Sequence, residues 1–378
     1  MLRWNGRPDG TPRGRNRQGG GGRRGGSPVV RGGPAPAPHD WARSGVGRTR
    51  ECPRLPPRST ALWIDCDTGI DDALALLLAA GDPAAELVGV STVAGNCPLP
   101  QATENSLRVL ELAGARRVPV SVGAAGPIAG TGADARHVHG EDGLGGCAGA
   151  LPPARARPQA EHAAQALGRA LRARPGQITL VATGPLTNLA LALALDGGIA
   201  RCARHVVVMG GAVVAPGNVG PTVEFNIAAD PEAARAAFAA PWPLTLVGLD
   251  VTMEVRMGPA EAEALRAGAG PVAAFCAQAL GAYMQAYERL GFRREAPMHD
   301  PLAVAVACDP ALVSAVQLPI DVETRGELTR GMTVADLRVL ARPTLLAGRR
   351  TVQVCRDVDA PAAIRRMMRA WGAASPGR

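Results

Sequence analysis

Four carboxylates crowd into eight residues at Asp65-Cys66-Asp67-Thr68-Gly69-Ile70-Asp71-Asp72, between the apolar run 61–64 and the Ala/Leu stretch 73–80. The short run reads as a strand, the glycine as a turn, and the stretch after it as a buried helix. The acids therefore sit at the carboxyl end of a strand, where open α/β sheets place their sites. A helix N-terminus favours Asp71 and Asp72 through its unpaired N–H groups and its dipole. That role leaves Asp65 and Asp67 unexplained, and so many like charges at one turn demand a cation. Hard oxygen donors select Ca2+ or Mg2+ over zinc.

The alternation of short apolar run and helical stretch continues down the chain, which predicts repeated βα units. Strands are expected at 61–64, 87–93, 178–182, 205–209 and 244–249, and helices at 71–80, 99–113, 160–173, 187–194 and 231–239. The fold class that follows is α/β: an open, mostly parallel sheet flanked by helices, in a single domain over 59–378. Aromatics are only 3% of the chain against 47% hydrophobic residues, so Ala, Leu and Val must fill the core.

Residues 1–58 are dominated by Gly, Pro and Arg, which bury too little apolar surface to offset ordering entropy, and they are expected to form a disordered extension. They hold 13 arginines against Asp9, Asp40 and Glu51; of 41 basic and 33 acidic residues, 28 and 30 are left for the remainder. The formal charge of +8 thus belongs to the extension. A nearly neutral folded part argues against nucleic acid as its partner. Every basic residue is Arg and none is Lys, a pattern of codon usage more than of phosphate recognition. Eight cysteines lie scattered without a C-x-x-C pair, as in a reduced, cytoplasmic protein. No apolar run is long enough for a bilayer and no compact apolar core follows the first arginines, so neither a membrane span nor a signal peptide is expected.

A D-x-D at the end of a first strand also opens Mg2+-dependent phosphatases of the haloacid-dehalogenase type. There the second Asp is usually followed by Gly-Thr, whereas Asp67 is followed by Thr68-Gly69-Ile70 and then paired acids. The block instead resembles the signature of the inosine-uridine-preferring nucleoside hydrolases, and further matches recur in order. They are Ser91-Thr92-Val93-Ala94-Gly95-Asn96, His137-Val138-His139-Gly140, Ala182-Thr183-Gly184-Pro185-Leu186-Thr187-Asn188, Val208-Met209-Gly210-Gly211, Gly217-Asn218, Glu224-Phe225-Asn226 and Met298-His299-Asp300-Pro301. One departure is Thr68, where that family usually has Pro; it removes no ligand.

The resemblance implies a nucleoside hydrolase fold with a Rossmann-like core. It also implies hydrolysis of the N-glycosidic bond of purine or pyrimidine ribonucleosides to free base and ribose. An oxocarbenium-like transition state and a calcium-bound water as nucleophile come with it. Ca2+ would be held by Asp67, Asp72, the carbonyl of Thr183 and Asp300. Asp67 would be the general base and His299 the leaving-group acid. Asp71, Asn96, Asn218, Glu224 and Asn226 would surround the ribose, and His139, Tyr283 and Tyr287 the base. The two tyrosines are the only ones in the chain and fall four apart on an expected helix, hence on one face. A homodimer or homotetramer is implied as well. The competing readings are a Mg2+-dependent phosphatase of the D-x-D type and a catalytically silent nucleoside-binding protein. Inosine, uridine, cytidine and adenosine all stay open as substrates, because pocket loops decide base preference.

Overall fold

The computed structural model describes residues 59–132, 134–338, 346 and 348–374. The extension expected at 1–58, with its expected disorder, lies outside the described residues. In chain order, β1 (Thr60–Cys66), α1 (Ile70–Gly81), β2 (Ala85–Thr92), α2 (Leu99–Leu112), β3 (Val120–Val122) and α3 (Arg136–His139) come first. The middle holds α4 (Ala163–Ala173), β4 (Ile178–Ala182), α5 (Thr187–Leu195), β5 (His205–Met209), α6 (Phe225–Ala229), α7 (Pro231–Ala239), β6 (Leu244–Val247) and α8 (Leu249–Thr252). Then follow β7 (Arg256–Met257), α9 (Pro259–Arg266), α10 (Gly270–Arg289), β8 (Ala296–Pro297) and α11 (His299–Cys308). The last elements are β9 (Val313–Val322), β10 (Thr333–Ala335), β11 (Thr351–Val358) and α12 (Ala360–Ala370).

Among the described residues nine strands form one sheet in the order β10-β9-β11-β6-β5-β4-β1-β2-β3. The pairings from β11 through to β3 are parallel, and β9 runs antiparallel to both β11 and β10. The mostly parallel α/β architecture is therefore the one expected. Its inner order, 3-2-1-4-5-6, reverses direction between β1 and β4, and such a switch point opens a crevice at the carboxyl ends of the strands.

Strand alternation explains where the core sits. Leu62, Ile64 and Cys66 face one side of the sheet, against α1, α10, α11 and α12. Ala61 and Trp63 face the other, against α4, α5 and α7. Side chains of a buried parallel strand are covered on both faces, so β4 and β5 read as continuous apolar runs. Each fully buried Leu, Ile or Val contributes about 1.5–3 kcal/mol relative to exposure. Helices α1 and α11 are covered nearly all round, consistent with their Ala/Leu composition.

Some expected boundaries move. The strand expected at 244–249 ends at Val247, because Gly248 caps α8 and Leu249 already belongs to that helix. The helix expected at 160–173 begins at Ala163, where His162 caps it by accepting the Ala164 N–H. Strands β3, β7, β8, β9, β10 and β11 were not expected. β3 and β10 are only three residues long and β7 and β8 two, four consecutive residues of β9 are exposed, and polar Thr351, Gln353, Arg356 and Asp357 interrupt β11, so none of these gives an apolar run.

Candidate active site

The turns that leave β1, β2 and β4 converge on the crevice. Asp67 follows β1, Asn96 follows β2 and Thr183 follows β4 directly. Asn96 donates its backbone N–H to Asp67 Oδ2 at 2.7 Å, and its amide Nδ2 reaches Asp67 Oδ1 at 3.1 Å and Asp72 Oδ2 at 2.9 Å. Asp72 also accepts the Gly69 N–H at 2.9 Å and the Thr183 hydroxyl at 2.8 Å. Close approach forces glycine at two of these turns: a Cβ on Gly95 would overlap the Asp67 carboxylate, and one on Gly69 would run into His139 and Asn96. Thr68 is fully buried and its hydroxyl pairs with Ser106 of α2 at 2.6 Å, so a side-chain hydrogen bond holds the turn that a proline ring would otherwise stiffen.

Helix α11 packs against α1 and brings Asp300 to the same point. One carboxylate oxygen each from Asp71, Asp72 and Asp300 lie within 4.8 Å of one another, all three residues buried. Burial raises the pKa of Asp71 to about 7, helped by the charge of Asp72, and burial with the neighbouring acids pushes Asp67 and Asp300 well above the usual range. Asp72 is raised by burial too, although four hydrogen bonds oppose that shift. Asp71 Oδ1 is buried without a hydrogen-bond partner. Hard oxygen donors, mutual repulsion and an orphaned carboxylate oxygen fit a hard divalent cation. The carbonyl of Thr183 accepts from Asn226 Nδ2 at 2.7 Å and keeps a second lone pair free.

Asp65 does not join this cluster. It lies on the strand face shared by Trp63, where it accepts the Asn188 amide at 2.8 Å and the Ser91 hydroxyl; Ser91 in turn accepts from Trp63 Nε1 at 2.9 Å. Burial raises its pKa to about 7. The alternation that points Cys66 towards α1 points Asp65 towards α5, so one of the four clustered acids belongs to the wall behind the crevice.

Of the expected ribose residues, Asp71, Asn96 and Asn226 meet at the carboxylates, Asn226 through its bonds to the carbonyls of Thr183 and Met209. Glu224 stands one step away: its carboxylate caps α6 by accepting from Asn226 and Ile227, and it also accepts the Gly211 N–H. Asn218 is exposed, and its Oδ1 accepts the Phe225 N–H. Sequence spacing thus brings together all but Asn218.

An aromatic wall adjoins the acids. The Tyr283 hydroxyl donates to Asp71 Oδ2 at 3.0 Å, and its ring meets Tyr287 edge-on at 5.1 Å and His139 at 5.8 Å. Tyr287 packs on Phe292 at 5.6 Å, a residue 47% exposed that no motif singled out. His299 is held at both nitrogens: Nε2 meets the Tyr287 hydroxyl at 2.9 Å and Nδ1 meets the Thr252 hydroxyl at 2.7 Å. Burial drops the pKa of both histidines to about 3, so both rings are neutral. The 4.0 Å approach of His139 Nδ1 to Asp71 is accordingly no ion pair; Nδ1 accepts the Ile70 N–H at 3.0 Å. Thr252 and Phe292 act through contacts between distant segments, for which local spacing carries no signal, whereas Ser91 and Asn188 stand inside the matched motifs without a role of their own being expected.

Fold and site together define an α/β enzyme whose carboxylate centre suits a hard divalent cation. The family model for inosine-uridine preferring nucleoside hydrolases matches residues 62–365. The inosine-uridine preferring nucleoside hydrolase of Leishmania major is 40% identical over 277 residues, covering 73% of this chain and 87% of that protein. A pyrimidine-specific ribonucleoside hydrolase of Shewanella sp. (strain MR-7) is 41% identical over 290 residues, covering 76% and 90%. Among solved structures, a plant nucleoside hydrolase superposes with a TM-score of 0.79 at 32% identity, covering 84% of this chain and all of that one. A purine-preferring ribonucleoside hydrolase from Gardnerella vaginalis gives 0.75 at 32% identity, covering 82% and 98%. The chain belongs to the inosine-uridine preferring nucleoside hydrolase family and is a ribonucleoside hydrolase. The phosphatase alternative is thereby set aside.

Proposed function

We propose that the chain hydrolyses purine and pyrimidine ribonucleosides to free base and ribose with Ca2+ as its cofactor. The observation that carries this is the buried trio Asp71, Asp72 and Asp300 at the switch point, joined to the aromatic wall through the Tyr283–Asp71 hydrogen bond. Asp67, Asp72, Asp300 and the Thr183 carbonyl would hold the ion. When bound, calcium would supply a Lewis acid that polarises a water at this point.

Asp67 accepts the proton of the attacking water, its carboxylate aimed by the two bonds from Asn96. Asp71, with a free buried oxygen, takes a ribose hydroxyl together with Asn96, Glu224 and Asn226, and Asn218 joins them by family likeness alone. Anionic oxygens below the ring favour an oxocarbenium-like transition state, in which positive charge develops on the sugar. The base leaves on the side of His139, Tyr283 and Tyr287, where His299 and the Tyr287 hydroxyl bonded to it meet the departing nitrogen with a hydrogen-bond donor. The wall of two tyrosines accepts either a one-ring or a two-ring base by stacking. By family likeness the protein is a cytoplasmic homodimer or homotetramer, and the near-neutral folded part leaves a small nucleoside as the partner.

Asp67→Asn should lower kcat on inosine by about a thousandfold, within the range for losing a general base, while the thermal melt stays that of a folded protein. Near-parental turnover would remove Asp67 from the mechanism.

A further inference from the structure

We propose that Asp250 is a positioning residue for the sugar: its carboxylate clamps residues 213–215 and thereby holds the turn that presents Asn218 to the ribose. This role rests on the nucleoside hydrolase reaction, and on the place of Asn218 in it, assigned above.

The loop that carries Asn218 leaves β5 at Gly210-Gly211 and ends where Glu224 caps α6. Its tip is a turn closed on itself: the Gly217 N–H donates to the Pro221 carbonyl at 3.0 Å, and the N–H groups of Asn218 and Val219 donate to the Val223 carbonyl at 3.1 and 3.2 Å. A Cβ on Gly217 would overlap the Val223 backbone, so the turn is tight enough to move as one piece. Asn218 spends its Oδ1 on the Phe225 N–H at 2.9 Å, which leaves its Nδ2 to donate to a sugar hydroxyl. Where that amide stands is therefore set by the two ends of the loop. The far end is fixed by Glu224, which accepts the N–H groups of Asn226, Ile227 and Gly211.

The near end hangs on Asp250. Its Oδ2 accepts the Val213 N–H at 2.8 Å, and its Oδ1 accepts the N–H groups of Val214 at 2.8 Å and Ala215 at 3.3 Å. Three consecutive N–H groups converge on one side chain, and a carboxylate, which accepts at both oxygens, can take them all. Side-chain packing adds little to this hold, since Val214 is 56% exposed and Val219 on the tip is about as open. Asp250 is itself held firmly. Its side chain is buried in α8, and Arg356 of β11 brings Nη1 to 3.6 Å from Oδ1 and balances the charge. Beside it the Leu249 N–H donates to the Gly211 carbonyl at 2.9 Å. A Cβ on Gly248 would come within 2.8 Å of that same carbonyl, so glycine there lets the start of α8 press against the exit of β5.

The test compares Asp250→Asn, Asn218→Ala and the double variant in the full chain with Ca2+. Asparagine keeps the size of the side chain but turns an NH2 group against a backbone N–H. D250N should raise KM about tenfold on inosine, the equivalent of one lost hydrogen bond to the sugar, with kcat changed less than about threefold. The same factor should appear on p-nitrophenyl β-D-riboside, which shares only its ribose with inosine, and in the inhibition constant of free ribose. N218A should raise KM to a similar degree, and the double variant no further than the larger single change, because both remove one contact. Amide hydrogen exchange in D250N should speed up at residues 213–215 and stay parental in β5, which separates a released clamp from a damaged sheet. Parental KM in D250N or in N218A, additive changes in the double variant, unequal changes on the two ribosides, or faster exchange throughout β5 would overturn the proposal. A parent that releases no ribose from inosine would instead count against the assigned reaction, while exchange at 213–215 and the affinity for free ribose, compared between parent and D250N, still decide the role of Asp250.

Discussion

Asp65 and Asp67 stand two residues apart and serve different structures, because strand alternation turns Asp65 onto Asn188 and Ser91 while Asp67 passes beyond the strand end into the crevice. Charge counting groups the two acids; only the pleat separates them. His139 shows a second effect of burial, which lowers its pKa from 6.5 to about 3. As pH falls, the unfolded chain takes up that proton first, so the stabilisation present above about pH 6.5 is lost progressively towards pH 3. His139→Asn keeps an acceptor for the Ile70 N–H but cannot titrate. Its stability should fall less steeply than the parent's between pH 6.5 and about pH 4, with a gap of up to about 3 kcal/mol at the lower end. Thermal melts across that range check this, and parallel slopes would contradict it. At this scale the acids and both histidines were legible because they lie in dense local motifs. Thr252 was not, since its partner His299 lies 47 residues on and meets it only after β7 and β8 pair.

The elements matter here chiefly at their ends. Each βα turn delivers one polar group: β1 delivers Asp67, β2 Asn96 and β4 Thr183, and the turns are tight enough that side chain and backbone interlock. Gly95→Ala places a Cβ against Asp67 and within 2.8 Å of Pro185, so either the carboxylate or the loop must move. The expected outcome is a loss of about 1–3 kcal/mol in stability, typical of overpacking, and at least a tenfold fall in kcat. Urea unfolding with parallel kinetics checks both, and unchanged turnover would show that the Asn96 loop does not aim Asp67. The strands around the site were readable as apolar runs because they are covered on both faces. β9 escaped notice because one stretch of it is open to solvent, and the end of β6 was overextended because Leu249 is apolar yet already helical.

At the scale of the molecule, a reversal in strand order creates the crevice, two apolar layers hold the sheet rigid beneath it, and buried acids crowd at its floor. That arrangement costs stability unless a cation balances it, which ties the cofactor to the fold as well as to the chemistry. The parallel sheet, its flanking helices and the family were all legible from motif order. The antiparallel edge and the wall that Phe292 extends were not, since they depend on long-range packing. The most direct measurement is release of free ribose from inosine and uridine by a reducing-sugar assay, before and after chelation of divalent metal and again after Ca2+ is restored. The account predicts release that stops on chelation and returns with calcium. No release from either nucleoside in the calcium-loaded protein would contradict it and favour a protein that binds nucleosides without cleaving them.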